Sequence, residues 1–220
     1  MNDNVRSSSL VVASPKPVVV QPAEATSSRD PEVEMLGAWG CSQVTNEWRA
    51  FDRHPAPFGT WTGFNWGGAS LENWHRALAN PFGGHWADFQ AVADRHPGTT
   101  DLYAEICVER TSLSEASYQR MAEEVFREMR QRLGPGVRIW ATGMANGDGK
   151  RCRRKVGVSA QIAARLADHV VALGLAKRGP RLTSWQPWET EGGCHPNDAG
   201  EDRAAAEIVD FFTRLSGSRS

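Results

Sequence analysis

Three short polar segments of this sequence contain residue types that can act together in acyl transfer. Ser42 lies in the segment GCSQVTN, Gly67 and Gly68 lie in NWGGAS, and His195 lies in GCHPNDAG. A serine hydroxyl becomes an effective nucleophile when a histidine takes its proton, and backbone N–H groups in a glycine-bearing loop can stabilise the oxyanion that forms. Each segment alone has a simpler explanation, because serine, glycine and histidine are ordinary residues of turns and helix starts. The chemistry therefore requires a fold that brings the three segments together.

Alternating strand and helix patterns predict such a fold. Strand-like apolar runs occupy residues 33–39, 59–66, 101–108, 137–143 and, more weakly, 180–185. Helical periodicity marks residues 70–78, 112–134, 159–174 and 199–215. This alternation predicts an α/β domain, a flavodoxin-like three-layer α/β/α arrangement around a mostly parallel five-stranded sheet. In such sheets functional loops follow the carboxyl ends of the strands, as all three polar segments do here.

The three segments resemble the sequence blocks of the SGNH (GDSL-type) hydrolases. GCSQVTN is similar to the Gly-Asp-Ser block with Cys41 at the Asp position, NWGGAS is similar to the block with the oxyanion glycine, and GCHPNDAG is similar to the block with the catalytic histidine. The resemblance spans residues 33–215 and implies the SGNH hydrolase fold. It implies that Ser42 is the nucleophile, that His195 is the general base, and that the N–H groups of Ser42 and Gly68 are oxyanion donors. A gap-free alignment places Ser70 at the glycine position, where a backbone N–H would serve equally.

The third block of the family departs from its usual pattern here. The family has an Asn that completes the oxyanion hole, whereas this chain has Val108, Glu109, Arg110 and Thr111 in that region. Arg110 is the candidate replacement, a charged donor, and its simpler explanation is an ion pair with Glu109 or Asp101. Asn146 is a weaker candidate, since Asn-Gly is a common turn.

The acid that orients the histidine is also displaced. The family places an Asp three residues before the histidine, where this chain has Gly192. Glu191 is the expected orienting acid if the loop bulges, and Glu189 lies two residues further back. Without either, a backbone carbonyl would hold the imidazole in a Ser–His dyad. Asp198, three residues before Glu201, is expected to cap the last helix.

The cysteines and remaining histidines predict no metal site and no cofactor. The four cysteines lack zinc-finger spacing, and the other histidines lack metal-binding spacing. Cys107 is expected to be a buried thiol, and Cys152 and Cys194 are candidates for a disulfide in an oxidising compartment. Cys41 is the alternative nucleophile, although strand alternation points it away from Ser42.

Composition excludes several classes of partner. The formal net charge is −1 and the pI is about 6.6, so nothing indicates nucleic-acid binding. No apolar run is long enough to cross a bilayer, and the first residues make a poor signal peptide, so a cytoplasmic or assembly-associated protein is expected unless another export route exists. Residues 1–30 are expected to form a flexible arm or linker with a possible assembly partner, and residues 31–217 are expected to form the catalytic domain.

Nine tryptophans indicate a substrate with faces suited to stacking, or a tryptophan-rich core. Trp66, Trp185 and Trp188 are the expected substrate contacts, whereas Trp48, Trp61, Trp74 and Trp86 fit either explanation. A short-chain or carbohydrate O-acetyl ester is the preferred substrate, and a lipid ester is second because no long apolar lid is visible. The alternative function is a binding or structural module of the same fold, anchored by its arm to a larger assembly such as a viral particle. A hydrogen-bond distance between Ser42 and His195 would favour the esterase.

Overall fold

The computed structural model describes residues 32–62, 69–80, 84–145, 156–191 and 195–217, the side chains of residues 156 and 157 excepted. Within these residues a parallel sheet contains strands β1 (Met35–Trp39), β2 (Gly59–Trp61), β3 (Asp101–Ile106), β4 (Arg138–Gly143) and β5 (Lys177–Arg178). The strand order is β2-β1-β3-β4-β5. Leu36 pairs with Asp101, and Asp101 pairs with Arg138, so β1, β3 and β4 run side by side and their carboxyl ends share one edge.

Helices follow the strands and cover both faces of the sheet. They are α1 (Ser42–Arg49), α2 (Leu71–Ala77), α3 (Gly84–Ala93), α4 (Glu115–Leu133), α5 (Val156–Ala172) and α6 (Asp198–Ser216). A separate antiparallel pair joins β6 (Thr190–Glu191) to β7 (His195–Pro196) just before α6. Among the described residues, no helix is long and apolar enough to cross a membrane.

Two hydrophobic cores lie on opposite faces of the sheet, as alternation along β3 requires. Leu102, Ala104 and Ile106 belong to the core beneath α2 to α5, whereas Tyr103 belongs to the core beneath α1 and α6. The three-layer α/β/α prediction is therefore confirmed.

All four tryptophans that fitted either explanation lie in these cores. Trp61, Trp74 and Trp86 lie in the first core and Trp48 in the second, and each is at most 7% exposed. Their rings contact neighbouring aromatic rings in stacked, tilted or edge-on geometry, so they contribute to packing between the sheet and the helices rather than to substrate binding.

Several elements differ from the sequence prediction: helix α1 and the β6–β7 pair were not among the predicted elements, and β2 is shorter than predicted. The fifth strand lies at residues 177–178, not 180–185, because Pro180 has no N–H to continue the ladder after Gly179 donates to the Ala141 carbonyl. Helix α3 was not predicted, although its buried Trp86, Phe89 and Val92 recur every three residues. The predicted arm at residues 1–30 lies outside the described residues, so the domain boundary stays a prediction.

Candidate active site

Ser42 and His195 meet at the carboxyl edge of the sheet. Ser42 is the first residue of α1, directly after the turn that ends β1, and His195 opens β7. The Oγ of Ser42 lies 3.0 Å from Nε2 of His195. The hydroxyl donates this hydrogen bond when the imidazole carries its proton on Nδ1. The distance is within the range in which a histidine can remove the serine proton.

The turn before Ser42 requires a glycine. A Cβ at Gly40 would lie 2.4 Å from the side chain of Val44 and 3.0 Å from the carbonyl oxygen of Glu105. The missing side chain lets the start of α1 approach the end of β3. The turn therefore presents Ser42 at the first turn of a helix, where backbone N–H groups have no partner within the helix.

A half-buried ion pair anchors the segment that carries His195. Arg203 of α6 donates to both carboxylate oxygens of Glu189, at 2.7 and 2.8 Å, and also to the carbonyls of Thr183 and Ser184. The hydrogen bonds from Arg203 lower the pKa of Glu189. The Glu189 side chain is therefore held in an ion pair with Arg203. The Glu189 backbone carbonyl accepts the N–H of Asn197, two residues after His195.

The helix that follows is capped by Asn197, not by Asp198. The Asn197 side-chain oxygen accepts the N–H groups of Ala199 and Gly200, and its amide donates to the Trp188 carbonyl at 2.6 Å. The expected capping box at Asp198 is wrong, because Asp198 is already the first helical residue. Asn197 thus links the helix start to the loop on the other side of His195.

Replacing Asn197 with alanine is expected to lower the free energy of unfolding by about 1–2 kcal/mol, because two N–H groups of α6 lose their acceptor. Asp198→Ala is the matched control, with an expected loss of about 0.5 kcal/mol from the helix dipole alone. Urea unfolding measures both. Equal losses in the two variants would contradict the assignment of the cap.

Glu191 lies opposite His195 in the β6–β7 ladder. Directly paired residues place their side chains on the same face, with Cβ atoms about 4.5–5.5 Å apart, but in the part of the chain that the structure describes the Glu191 carboxylate forms no hydrogen bond or ion pair with the imidazole. Ser42 is the only hydrogen-bond partner of the His195 ring among the described residues, and residues 192–194 lie outside them. The role of Glu191 as the orienting acid stays a prediction.

Two of the three expected oxyanion donors have a described position. Ser42 begins α1 as stated, whereas Gly68 lies outside the described residues, as does Asn146. Ser70, the alternative to Gly68, is the residue before α2, and the next N–H, that of Leu71, donates to the Cys107 carbonyl at 2.7 Å. The start of α2 is therefore held against the end of β3, beside the Ser42 turn.

Arg110 follows β3 with its side chain exposed. The buried carboxylate of Glu72, which no sequence motif indicated, accepts the N–H groups of Glu109 at 3.2 Å and Arg110 at 2.9 Å. The expected alternative pairing of Arg110 with Asp101 is wrong, because Asp101 lies at the opposite end of β3 and binds Arg138. Within the described part of the chain the Arg110 guanidinium forms no ion pair.

Cys41 and Cys107 form a disulfide between the Ser42 turn and the end of β3. The expectation that Cys107 is a free buried thiol is wrong. A disulfide sulfur has no thiolate, so in this state Cys41 is not an alternative nucleophile. The suggested pairing of Cys152 with Cys194 lies outside the described residues.

The expected tryptophan contacts differ in exposure. Trp188, in the loop before His195, is 68% exposed, whereas Trp185 is 3% exposed and offers no free ring face. Trp66 lies outside the described residues. Trp188 is therefore the described aromatic ring that is open to a ligand.

Solved structures provide the comparison with known proteins, because no family model and no curated protein matches this sequence. A protein described as an SGNH hydrolase from Slackia heliotrinireducens matches with a TM-score of 0.57 at 16% identity, over 82% of this chain and 99% of that chain. A GDSL-like lipase from Bacteroides thetaiotaomicron matches with a TM-score of 0.54 at 11% identity, over 81% and 87% of the two chains. A lipase/acylhydrolase from Enterococcus faecalis matches with a TM-score of 0.51 at 12% identity, over 80% and 94%. The chain therefore has the fold of the SGNH hydrolases.

Proposed function

We propose that the protein is a serine esterase that hydrolyses a short-chain or carbohydrate O-acetyl ester. The observation that carries the proposal is the 3.0 Å distance between Ser42 Oγ and His195 Nε2 at the carboxyl edge of the sheet. This distance favours an esterase over a module that only binds, because a binding site needs no activated hydroxyl.

The proposed reaction proceeds through an acyl-enzyme. His195 takes the Ser42 proton as the hydroxyl oxygen attacks the ester carbonyl, and the imidazolium then protonates the leaving alcohol. Water, deprotonated by the same imidazole, releases the acid and restores Ser42. Glu191 is the proposed acid that orients the imidazole from the opposite strand.

The proposed oxyanion donors are the N–H groups of Ser42 and Gly68, with Arg110 in place of the missing Asn. The Ser42 N–H lies in the first turn of α1, where the helix dipole also favours a developing negative charge. Arg110 is exposed, and its guanidinium forms no ion pair among the described residues, so it remains available for an oxyanion or an anionic substrate.

Trp188 is the proposed substrate platform. Its ring is largely exposed, and its carbonyl accepts a hydrogen bond from Asn197, two residues after His195. A flat, exposed indole in the segment that precedes His195 suits the C–H face of a sugar ring.

The proposal is tested with p-nitrophenyl acetate and an acetylated oligosaccharide. We expect purified protein to release p-nitrophenol and acetate, and Trp188→Ala to raise KM for the oligosaccharide while leaving the small ester unaffected. Absence of hydrolysis of both substrates, with glycan binding retained, would favour the binding module.

Replacing Arg110 with alanine is expected to lower kcat by about 10²–10³-fold with little change in KM, because an oxyanion donor acts mainly in the transition state. Steady-state kinetics on p-nitrophenyl acetate measure the two constants separately. An unchanged kcat would reject the proposed role of Arg110.

A further inference from the structure

The Cys41–Cys107 disulfide joins two sulfurs in unequal surroundings. Cys41 is partly exposed in the turn before α1, whereas Cys107 is 5% exposed at the end of β3. An external thiolate or phosphine therefore reaches the Cys41 sulfur more readily. Cys107 is then the leaving group, and it must leave inside the protein.

A buried carboxyl group lies beside that leaving sulfur. The Oε1 of Glu105 is 3.3 Å from Sγ of Cys107, and Glu105 is fully buried. Its other oxygen, Oε2, accepts a hydrogen bond from Tyr103 at 3.1 Å. One carboxyl oxygen of Glu105 therefore faces the disulfide, and the other is held in place by the Tyr103 hydroxyl.

The surroundings of Glu105 favour its protonated form. Its neighbours are Tyr103 on the same strand, Glu47 on α1 and the two sulfurs. Burial raises the pKa of Glu47, and the negative charge of Glu207, on α6, raises it further. None of these groups is a cation. Burial raises the pKa of Glu105 to about 7, so near neutral pH the carboxyl can hold a proton and release it.

We propose that Cys41–Cys107 is a thiol–disulfide exchange site in which Glu105 is the proton donor to the buried leaving sulfur. A dithiol reductant attacks Sγ of Cys41 through its thiolate, the Cys41–Cys107 bond breaks, and a mixed disulfide forms. The Cys107 thiolate takes the Glu105 proton. The second thiolate of the reductant then attacks the mixed disulfide and releases Cys41 as a thiolate that is protonated by solvent. The reductant leaves as its own disulfide, so two electrons reach the protein.

This site adds redox chemistry to the edge that holds Ser42, and it does not depend on the proposed esterase. Reduction would break the covalent link between the Ser42 turn and β3. Thiol reactivity reports on the exchange directly, whatever the protein does to esters.

The first test measures reduction of the native protein by dithiothreitol, followed by acid quenching, alkylation and mass spectrometry. The rate should increase linearly with reductant concentration. The ratio of the wild-type rate to the Glu105→Gln rate should be roughly 10²-fold below about pH 6 and fall to one or less above about pH 8, as the acid ionises. Taking this ratio at each pH cancels the titration of the reductant. Glu47→Gln is the matched control: it alters the same buried network without removing the carboxyl beside the sulfur, and should keep the fast rate at low pH.

A second test uses the wild-type protein and therefore remains valid if the Glu105→Gln variant does not fold. A monothiol is used to trap the mixed disulfide, and peptide mapping finds which cysteine carries it. The proposal predicts a mixed disulfide on Cys41. Trapping on Cys107, a reduction rate independent of reductant concentration, or a rate ratio near one at every pH would each overturn it.

Discussion

Ser42→Ala is expected to reduce ester hydrolysis by at least about 10³-fold, because the acyl-enzyme cannot form without the hydroxyl. His195→Ala should cause a loss of similar size, since Ser42 then has no base. Groups that act as one unit are not additive, so the double variant should be no slower than the worse single variant. The measurement is kcat/KM for p-nitrophenyl acetate.

The matched control for these variants is Asp198→Ala. Asp198 lies three residues after His195 in the same segment but belongs to the first turn of α6. Its replacement should leave kcat/KM unchanged within a few-fold while the fold, followed by circular dichroism, stays intact. Equal rates for wild type, Ser42→Ala and His195→Ala would remove the basis of the esterase proposal.

Breaking the Cys41–Cys107 disulfide is expected to lower the free energy of unfolding by about 4 kcal/mol, because the bond closes a loop with a sequence separation of 66 residues. The cross-link limits the unfolded chain, so its loss stabilises the unfolded state. Urea unfolding with and without reductant measures the difference.

The Cys41→Ser/Cys107→Ser variant separates this bond from the other cysteines. It should unfold at the lower stability whether or not reductant is present. If wild-type protein keeps its stability after alkylation has shown both cysteines to be reduced, the disulfide does not stabilise the fold.

The positions of Ser42 and His195 were predictable because each depends on short-range sequence signals. A glycine-containing turn after a strand and a histidine before a strongly periodic helix remain readable in one chain without structural information. Parallel strands then place both segments at one edge. Helices α4 and α6 were equally predictable, because the helical spacing of their apolar residues continues over many turns.

The features that were missed depend on contacts between distant segments. The disulfide follows from the adjacency of β1 and β3, whose carboxyl ends carry Cys41 and Cys107. A parallel sheet alone does not predict this pairing, because the strand order is also needed to show that β1 and β3 are neighbours. Asn197 and Asp198 are both residue types that cap helices. The hydrogen bond from Asn197 to the Trp188 carbonyl favours Asn197, and this bond depends on the position of the loop.

The buried acidic residues were the part of the site that was hardest to predict from the sequence. Glu47, Glu72 and Glu105 are each at most 7% exposed, although acidic residues are usually exposed. The available signal was Glu105 within the otherwise apolar second half of β3, two residues after Tyr103 and so on the same face. Its partner on α1 could not be identified without the packing of that helix against the sheet.

In the proposed mechanism, His195 activates Ser42 as a nucleophile. A fluorophosphonate tests it most directly, since the serine oxygen forms a bond to phosphorus, fluoride leaves and the base accepts the proton. Intact-mass and peptide analysis should find one adduct, located on Ser42, with a rate at least about 10²-fold lower in His195→Ala. An unmodified Ser42 in the folded wild-type protein, or equal labelling rates with and without His195, would contradict the claim.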